Sequence, residues 1–324
     1  MRRTTLAAAV LVATAASIAW GQSSAQAPVL LEVTRFEIVG DNPLSESESE
    51  AALRPHLGAH TSVDTLEAAA AALEKAIRDE GYAFYRVVVP AQRPVEGVVK
   101  LELIRFPVGN IEVVGNEYFS RENILAGVPE LVPGQSPDVR EVSRQLGLAN
   151  EHPSKRTTVI MKEGSQKDTV DAEVRVRDVA PQQIFLGVTG HTRDEYNEIN
   201  DNTGYTRWTL GYQRSDLFDL DHAVTATYTT SPGHLSDVQQ YGLFYWLPLY
   251  GYNTSLSAYY ARSDVDSGTV GSGSSSFDVS GRGEFAGVRA THTLPRFRET
   301  SQSLSLALDD KSFESTVGVP GVTL

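Results

Sequence analysis

The chain has 324 residues, is 41% hydrophobic, contains no cysteine and carries a formal net charge of −13. That length allows two or three domains. The missing cysteines exclude a disulfide framework, a thiolate nucleophile and a thiolate metal site, and the acidic balance argues against nucleic acid, whose phosphates need a basic surface.

Residues 1–27 read as a secretory signal. Arg2 and Arg3 are followed by a short Ala-rich apolar run to Trp20, too short for an anchor. Cleavage is expected after Gly21 or Ala27; loss of the two arginines makes the charge −15 (26 basic, 41 acidic). Beyond residue 20 no stretch approaches the roughly 18 apolar residues of a spanning helix. A transmembrane barrel escapes that test, because only alternate residues face lipid.

Two segments 75 residues apart are alike: FEIVGDNPLS from Phe36 and IEVVGNEYFS from Ile111. Each is a short alternating strand ending in a Gly-Asp or Gly-Asn turn signal. After the first, Ser45 starts a polar helix and Asp64 opens another, with Leu66, Ala70, Leu73 and Ile77 on one face and Gly81 as its stop. The strands FYRVVVP and GVVKLELIRF close the unit. After the second come the helices RENILAGV and DVREVSRQLGLAN and the strands RTTVIMKEG and TVDAEVRVRDV. The order β-α-α-β-β, given twice, predicts tandem domains at 28–107 and 108–180.

From residue 181 to 324 strict alternation replaces helical spacing. Ile184, Leu186 and Val188 alternate with Phe185, Gly187 and Thr189. Similar runs follow around Leu210, Ala226, Leu243, Ala258, Val288 and Leu306. Seven strands of about ten residues, with tyrosines near the ends of the apolar runs, describe the wall of a transmembrane barrel; a β-sandwich would show shorter strands. The long segments 193–203, 231–237 and 263–281 fall on one side, and SDLFDLD, YGY and PRFRET on the other. The fold class is therefore α+β followed by all-β.

The β-α-α-β-β units resemble POTRA domains, on the quoted segments and on LEAAAAALEKAIRDEGYAFYRVVVPAQ. Followed by a barrel, and with LANEHPSKRTTVIMKEGSQKDTVDAEVRV in the second unit, they are similar to the two-partner-secretion transporters, the haemolysin secretion and activation family of Gram-negative bacteria. The resemblance covers residues 33–313. It implies a barrel in the outer membrane, POTRA domains in the periplasm, and a secreted exoprotein with an N-terminal secretion domain as partner. Membrane lipid, lipopolysaccharide and the barrel-assembly machinery would be further partners. Family barrels are similar to sixteen-stranded ones, so seven strands imply an incomplete barrel. The inward-folded arginine loop would lie past Leu324, and no plug helix precedes Val33.

The resemblance also implies a capture mechanism. An extended peptide adds to the edge formed by the middle strand of each unit. In the first unit this places Phe84, Arg86, Val87, Val88 and Val89 at the partner, with Leu73 and Ile77 in the adjoining groove. In the second it places Thr157, Val159 and Met161, with Val142 and Leu146. All four groove residues are also core candidates.

Arg207, opposite Trp208 in the alternation, should face the barrel lumen, in a salt bridge or against substrate. The run from His152 to Arg156 reads as a turn or as a device seating the second domain on the barrel mouth. The seven histidines are scattered without metal-ligand spacing, Asp264 to Gly268 fails the EF-hand pattern, and no nucleophile elbow or phosphate loop occurs. No cofactor, metal or enzymatic activity is expected. Rival readings are an outer-membrane protein or autotransporter assembly factor, and a passive porin with a periplasmic scaffold.

Overall fold

The computed structural model describes residues 31–190, 203–270, 277–297 and 300–318. The signal segment, its cleavage sites and the acids Asp194, Glu195, Glu198 and Asp201 lie outside the described residues.

The first domain runs β1 (Leu31–Val33), β2 (Arg35–Val39), α1 (Glu46–Leu53), β3 (Gly58–His60), α2 (Val63–Asp79), β4 (Tyr85–Val88) and β5 (Val98–Arg105). Ser45 caps α1 in a reciprocal capping box with Glu48, which satisfies two otherwise orphaned backbone donors. Helix α2 forms because alanine is the best helix former and its apolar residues recur on one face. Leu73 and Ile77 are fully buried, against Val87, Leu101 and Leu103 of the sheet. Burial of each such side chain contributes about 1.5–3 kcal/mol. Strand β5 is central, parallel to β2 and antiparallel to β4. The β1–β3 pair was not expected from the sequence, since three-residue strands are too short to show a period; it closes a small core of Val33, Leu66 and Val99.

The second domain repeats the plan with β6 (Val108–Val114), α3 (Arg121–Ala126), α4 (Val139–Ala149), β7 (Lys155–Glu163) and β8 (Val170–Asp178), sheet order β6-β8-β7. Ile111, Phe119, Ile124, Val142 and Val174 form a core of its own.

Seven strands follow as an antiparallel meander: β9 (Gln182–Gly190), β10 (Thr206–Leu217), β11 (His222–Thr230), β12 (Val238–Leu249), β13 (Thr254–Val270), β14 (Phe277–Phe297) and β15 (Thr300–Gly318). One face is apolar and exposed: Ile184 and Leu306 are each 77% accessible, and Leu210, Leu243 and Val288 lie between them on the same face. Among the described residues no sheet covers this face, so the sandwich alternative fails.

The band also drifts across the ladder. On β9 it centres on Leu186, whose row runs through Leu210, Tyr228, Tyr241, Arg262 and Glu284 to Ser312. On β15 it centres on Leu306, six positions back (312 − 306 = 6). Six residues in six strand steps is about one per strand. With a rise of about 3.3 Å and a strand spacing of about 4.8 Å, a level apolar belt then requires a tilt of about 35°, as in barrel walls. The sheet is not closed: β9 and β15 are its outer strands.

The last three strands are 17, 21 and 19 residues long, not about ten, and pairing enters the segment 263–281 expected to be a loop. Beyond the apolar band the β13–β14 ladder continues with cross-strand ion pairs, Arg262 to Glu284 at 3.0 Å and Arg282 to Asp264 at 2.9 Å. Glycine and serine hid that alternation.

Candidate functional site at the sheet edges and the barrel mouth

Strand β4 is an edge of the first sheet and β7 an edge of the second, the positions at which an added strand would pair. Phe84 accepts from Phe106 N–H at 2.9 Å, so even-numbered residues of β4 face β5 and Val87 turns its backbone outward. On β7 the outward residues are Thr157, Val159 and Met161. Both edges are partly occupied by helical side chains. Glu74 of α2 accepts the Val87 N–H at 3.1 Å. Asn150, after α4, accepts the Thr157 N–H at 2.7 Å and donates to its carbonyl at 2.9 Å. Such caps blunt an edge against unwanted pairing. Beyond Thr157 the outward groups of Val159 and Met161 have no partner among the described residues, while their side chains pack on the core.

Leu73, Ile77 and Val142 are buried core residues, and Leu146 packs against the second core; they shape the edges from beneath. Arg86 is exposed, and Val88 and Val89 are half-buried. Arg207 lies on the face opposite Trp208 and donates to the carbonyls of Thr203 and Gly204 at 3.0 and 2.7 Å, bracing its own loop. It also donates to the Thr203 hydroxyl at 3.2 Å.

The run from His152 to Arg156 meets the barrel. Lys155, the first residue of β7, reaches both oxygens of Asp221 at 2.8 and 2.6 Å and Asn123 Oδ1 at 2.6 Å. Both partners of this ion pair are about 1% exposed. Asp221 ends the β10–β11 turn, where Phe218, Asp219 and Asp221 take left-handed backbone angles. Its second oxygen accepts from Tyr250 Oη at 2.6 Å, in the turn after β12. Asn123 of α3 donates to the Asp219 carbonyl at 3.0 Å.

His152 is fully buried. Its Nε2 donates to the Ser215 carbonyl at 2.6 Å and its Nδ1 accepts from Ser154 N–H at 3.2 Å, which fixes a neutral tautomer. Phe119 and Trp246 stand edge-on to the ring, and Leu148 and Ala149 of α4 pack with Ala223, Trp246 and Tyr250. Burial lowers the His152 pKa, with Asp221 opposing. Burial also pushes the Lys155 ammonium down, again against the pull of Asp221. Burial, then Asp221, raises Tyr250. The geometry is that of a seat: two turns of the barrel sheet grip one domain through a buried, hydrogen-bonded charge pair. Sequence reasoning singled out His152 and Lys155 but missed Asp221 and Tyr250, which sit in segments that read as plain turns.

The two α+β domains also touch each other. Gly81, at φ +105° after α2, accepts from Val139 N–H at 2.9 Å, and Arg140 donates to the Asp79 carbonyl at 3.3 Å and to the Glu80 carboxylate at 2.8 Å. A cation at a helix C-terminus is favoured by the helix dipole.

Residues 31–105 match the family model for the POTRA domain, ShlB-type. No curated protein matches the chain. Among solved structures, CdiB from Escherichia coli superposes with a TM-score of 0.73 at 15% identity, over 93% of this chain and 54% of that one. CdiB from Acinetobacter baumannii gives 0.63 at 15% identity, over 89% and 55%. The chain thus spans about half the length of the structures it matches. At that identity the likeness is one of fold. Residues 31–105 are thus similar to a POTRA domain of the ShlB type, and the chain as a whole has the POTRA-plus-barrel fold of these solved structures.

Proposed function

We propose that this chain serves an outer-membrane transporter that captures an unfolded exoprotein in the periplasm and passes it into a β-barrel. The observation that carries this reading is the course of β7. The strand starts at Lys155, the residue locked to Asp221 at the barrel mouth, and its outward groups are open beyond Thr157, so a strand paired along Val159 and Met161 would run toward the barrel rim. Main-chain pairing suits an unfolded client, because it reads backbone rather than sequence. The apolar band faces membrane lipid, with lipopolysaccharide at its outer end, and insertion falls to the barrel-assembly machinery. Supporting secretion rather than assembly of membrane proteins is the ShlB-type first domain.

The test uses the large repeat-rich exoprotein expected from the adjacent gene. Its N-terminal secretion domain, diluted from denaturant, should bind the protein in detergent, and Val159→Pro should weaken that binding without unfolding either domain. Proline removes an outward donor that the ladder does not use. Undiminished capture by the variant, or equal capture of unrelated barrel precursors, would overturn the reading. Because unpaired strand edges are costly in a bilayer, the 324-residue chain alone should leave the exoprotein in the periplasm. Its appearance in the medium at the level of a complete transporter would refute that expectation.

A further inference from the structure

The two small sheets have four outer edges, and three of them carry a side-chain cap at one residue. Glu74 covers Val87 and Asn150 covers Thr157, as above. On β6, Arg121 donates to the outward carbonyl of Ile111 at 3.1 Å. The fourth edge is β2. Its Arg35 N–H bonds back to Gly97, so by alternation Phe36 and Ile38 turn their N–H and C=O outward. Among the described residues nothing caps them.

The 75-residue repeat explains the difference. Ile111 corresponds to Phe36 (111 − 36 = 75), and the helix-capping serines Ser120 and Ser45 correspond likewise (120 − 45 = 75). The next residue is Arg121 in the second domain but Glu46 in the first. A carboxylate has no hydrogen to give a carbonyl, so this edge stays bare.

Beside it lies a cavity of about 900 Å³ between β2 and α1, with Phe36, Ile38, Leu44 and Leu53 among its lining residues. Glu46 and Glu50 of α1 also line it, and neither is ion-paired among the described residues. Leu57, at the rim, is 46% exposed.

We propose that this groove is a second uptake site, where the first domain binds an extended polypeptide segment by main-chain pairing with Phe36 and Ile38. The segment would alternate apolar side chains, directed at the leucines, with basic ones facing the Glu46 and Glu50 wall. This rests on the capture reading above and assigns it a different edge from β4 and β7. An unfolded client held at β2 and β7 together would be gripped at two points, which raises the effective concentration of the second.

The experiment installs the missing cap. The full chain in detergent micelles is titrated with a short fluorescein-labelled peptide alternating valine with lysine, followed by anisotropy. Glu46→Arg should weaken binding about tenfold or more, as expected for blocked main-chain bonds and a reversed charge; Glu46→Ala, which leaves the edge open, should weaken it less. As a readout independent of Glu46, p-benzoylphenylalanine in place of Leu57 should cross-link the peptide. Binding unchanged by Glu46→Arg, or bound peptide without a cross-link at position 57, would overturn the proposal. If Val159→Pro alone abolishes binding, the β2 site falls while capture by the second domain stands. If the unaltered protein binds no peptide, both fall.

Discussion

The two α+β domains share one chain order and one sheet order, yet they spend their polar residues differently. The second buries a lysine, a histidine and an asparagine against the barrel turns and places a side-chain cap on each of its sheet edges, at Ile111 and Thr157. The first keeps its charges at the surface and leaves β2 bare. Its inter-domain polar contacts run through Gly81 and Arg140 to α4. The lesson is that a repeated fold does not carry a repeated surface: the neighbour decides. Next to the barrel, a side chain loses its water and must find a fixed partner; away from it, the same positions stay open.

The sharpest way to break this comparison is to remove one half of the buried pair. Asp221→Ala leaves Lys155 charged and unpaired, which should cost about 3–5 kcal/mol. In a Trp208→Phe background, urea melts followed through Trp246 should shift strongly, while proteolytic protection of the first domain stays unchanged. An equal loss in both domains would show that they unfold as one unit, against the reading of two independent cores.

A smaller effect is expected at the contact between the domains. Gly81→Ala strains a residue at φ +105° and places Cβ about 2.1 Å from Asp138 Oδ1, the N-cap of α4. It should cost about 1–3 kcal/mol and separate two calorimetric transitions that otherwise overlap. Overlap that persists would place the coupling elsewhere.

Removing a cap sharpens the comparison. Arg121→Ala should cost only about 0.5–1 kcal/mol and make the β6 edge resemble β2. New peptide cross-linking at β6 is the expected outcome, and its absence would mean that the cap is not what closes that edge.

The smallest effect is a pH slope. His152 is held neutral, with its pKa below the usual 6.5. Below that value the unfolded chain takes up a proton that the folded one refuses. It then binds more protons, and stability falls as pH falls. One proton sets a ceiling of about 1.4 kcal/mol per pH unit, and near neutral pH the loss is a fraction of it. Urea melts of the junction at descending pH should show the slope, and His152→Gln should remove it.

Much of this architecture was readable because it is periodic. The alternation around Leu186, Leu210 and Leu306 specified strands and their apolar face, the 4-3-4 spacing of Leu66, Ala70, Leu73 and Ile77 specified α2, and the Gly81 stop needed only local geometry. These signals survive in a linear chain because they arise between residues a few positions apart. The edges and the seat were not readable. Glu74 looked like one more exposed helical acid and Asn150 like a helix end, and nothing in SDLFDLD distinguishes Asp221 from its neighbours. Lys155 and Asp221 are 66 positions apart; only when the second domain settles on the barrel turns do they share a water-free space. The sequence by itself determined most of the elements, their order and their apolar faces, because those follow from local sterics and hydrophobic period; the short β1 and β3 and the far ends of the last strands carry no such period. Tertiary structure decided which strand edges are closed and which charges are buried, because desolvation depends on what packs alongside, and no local pattern records that.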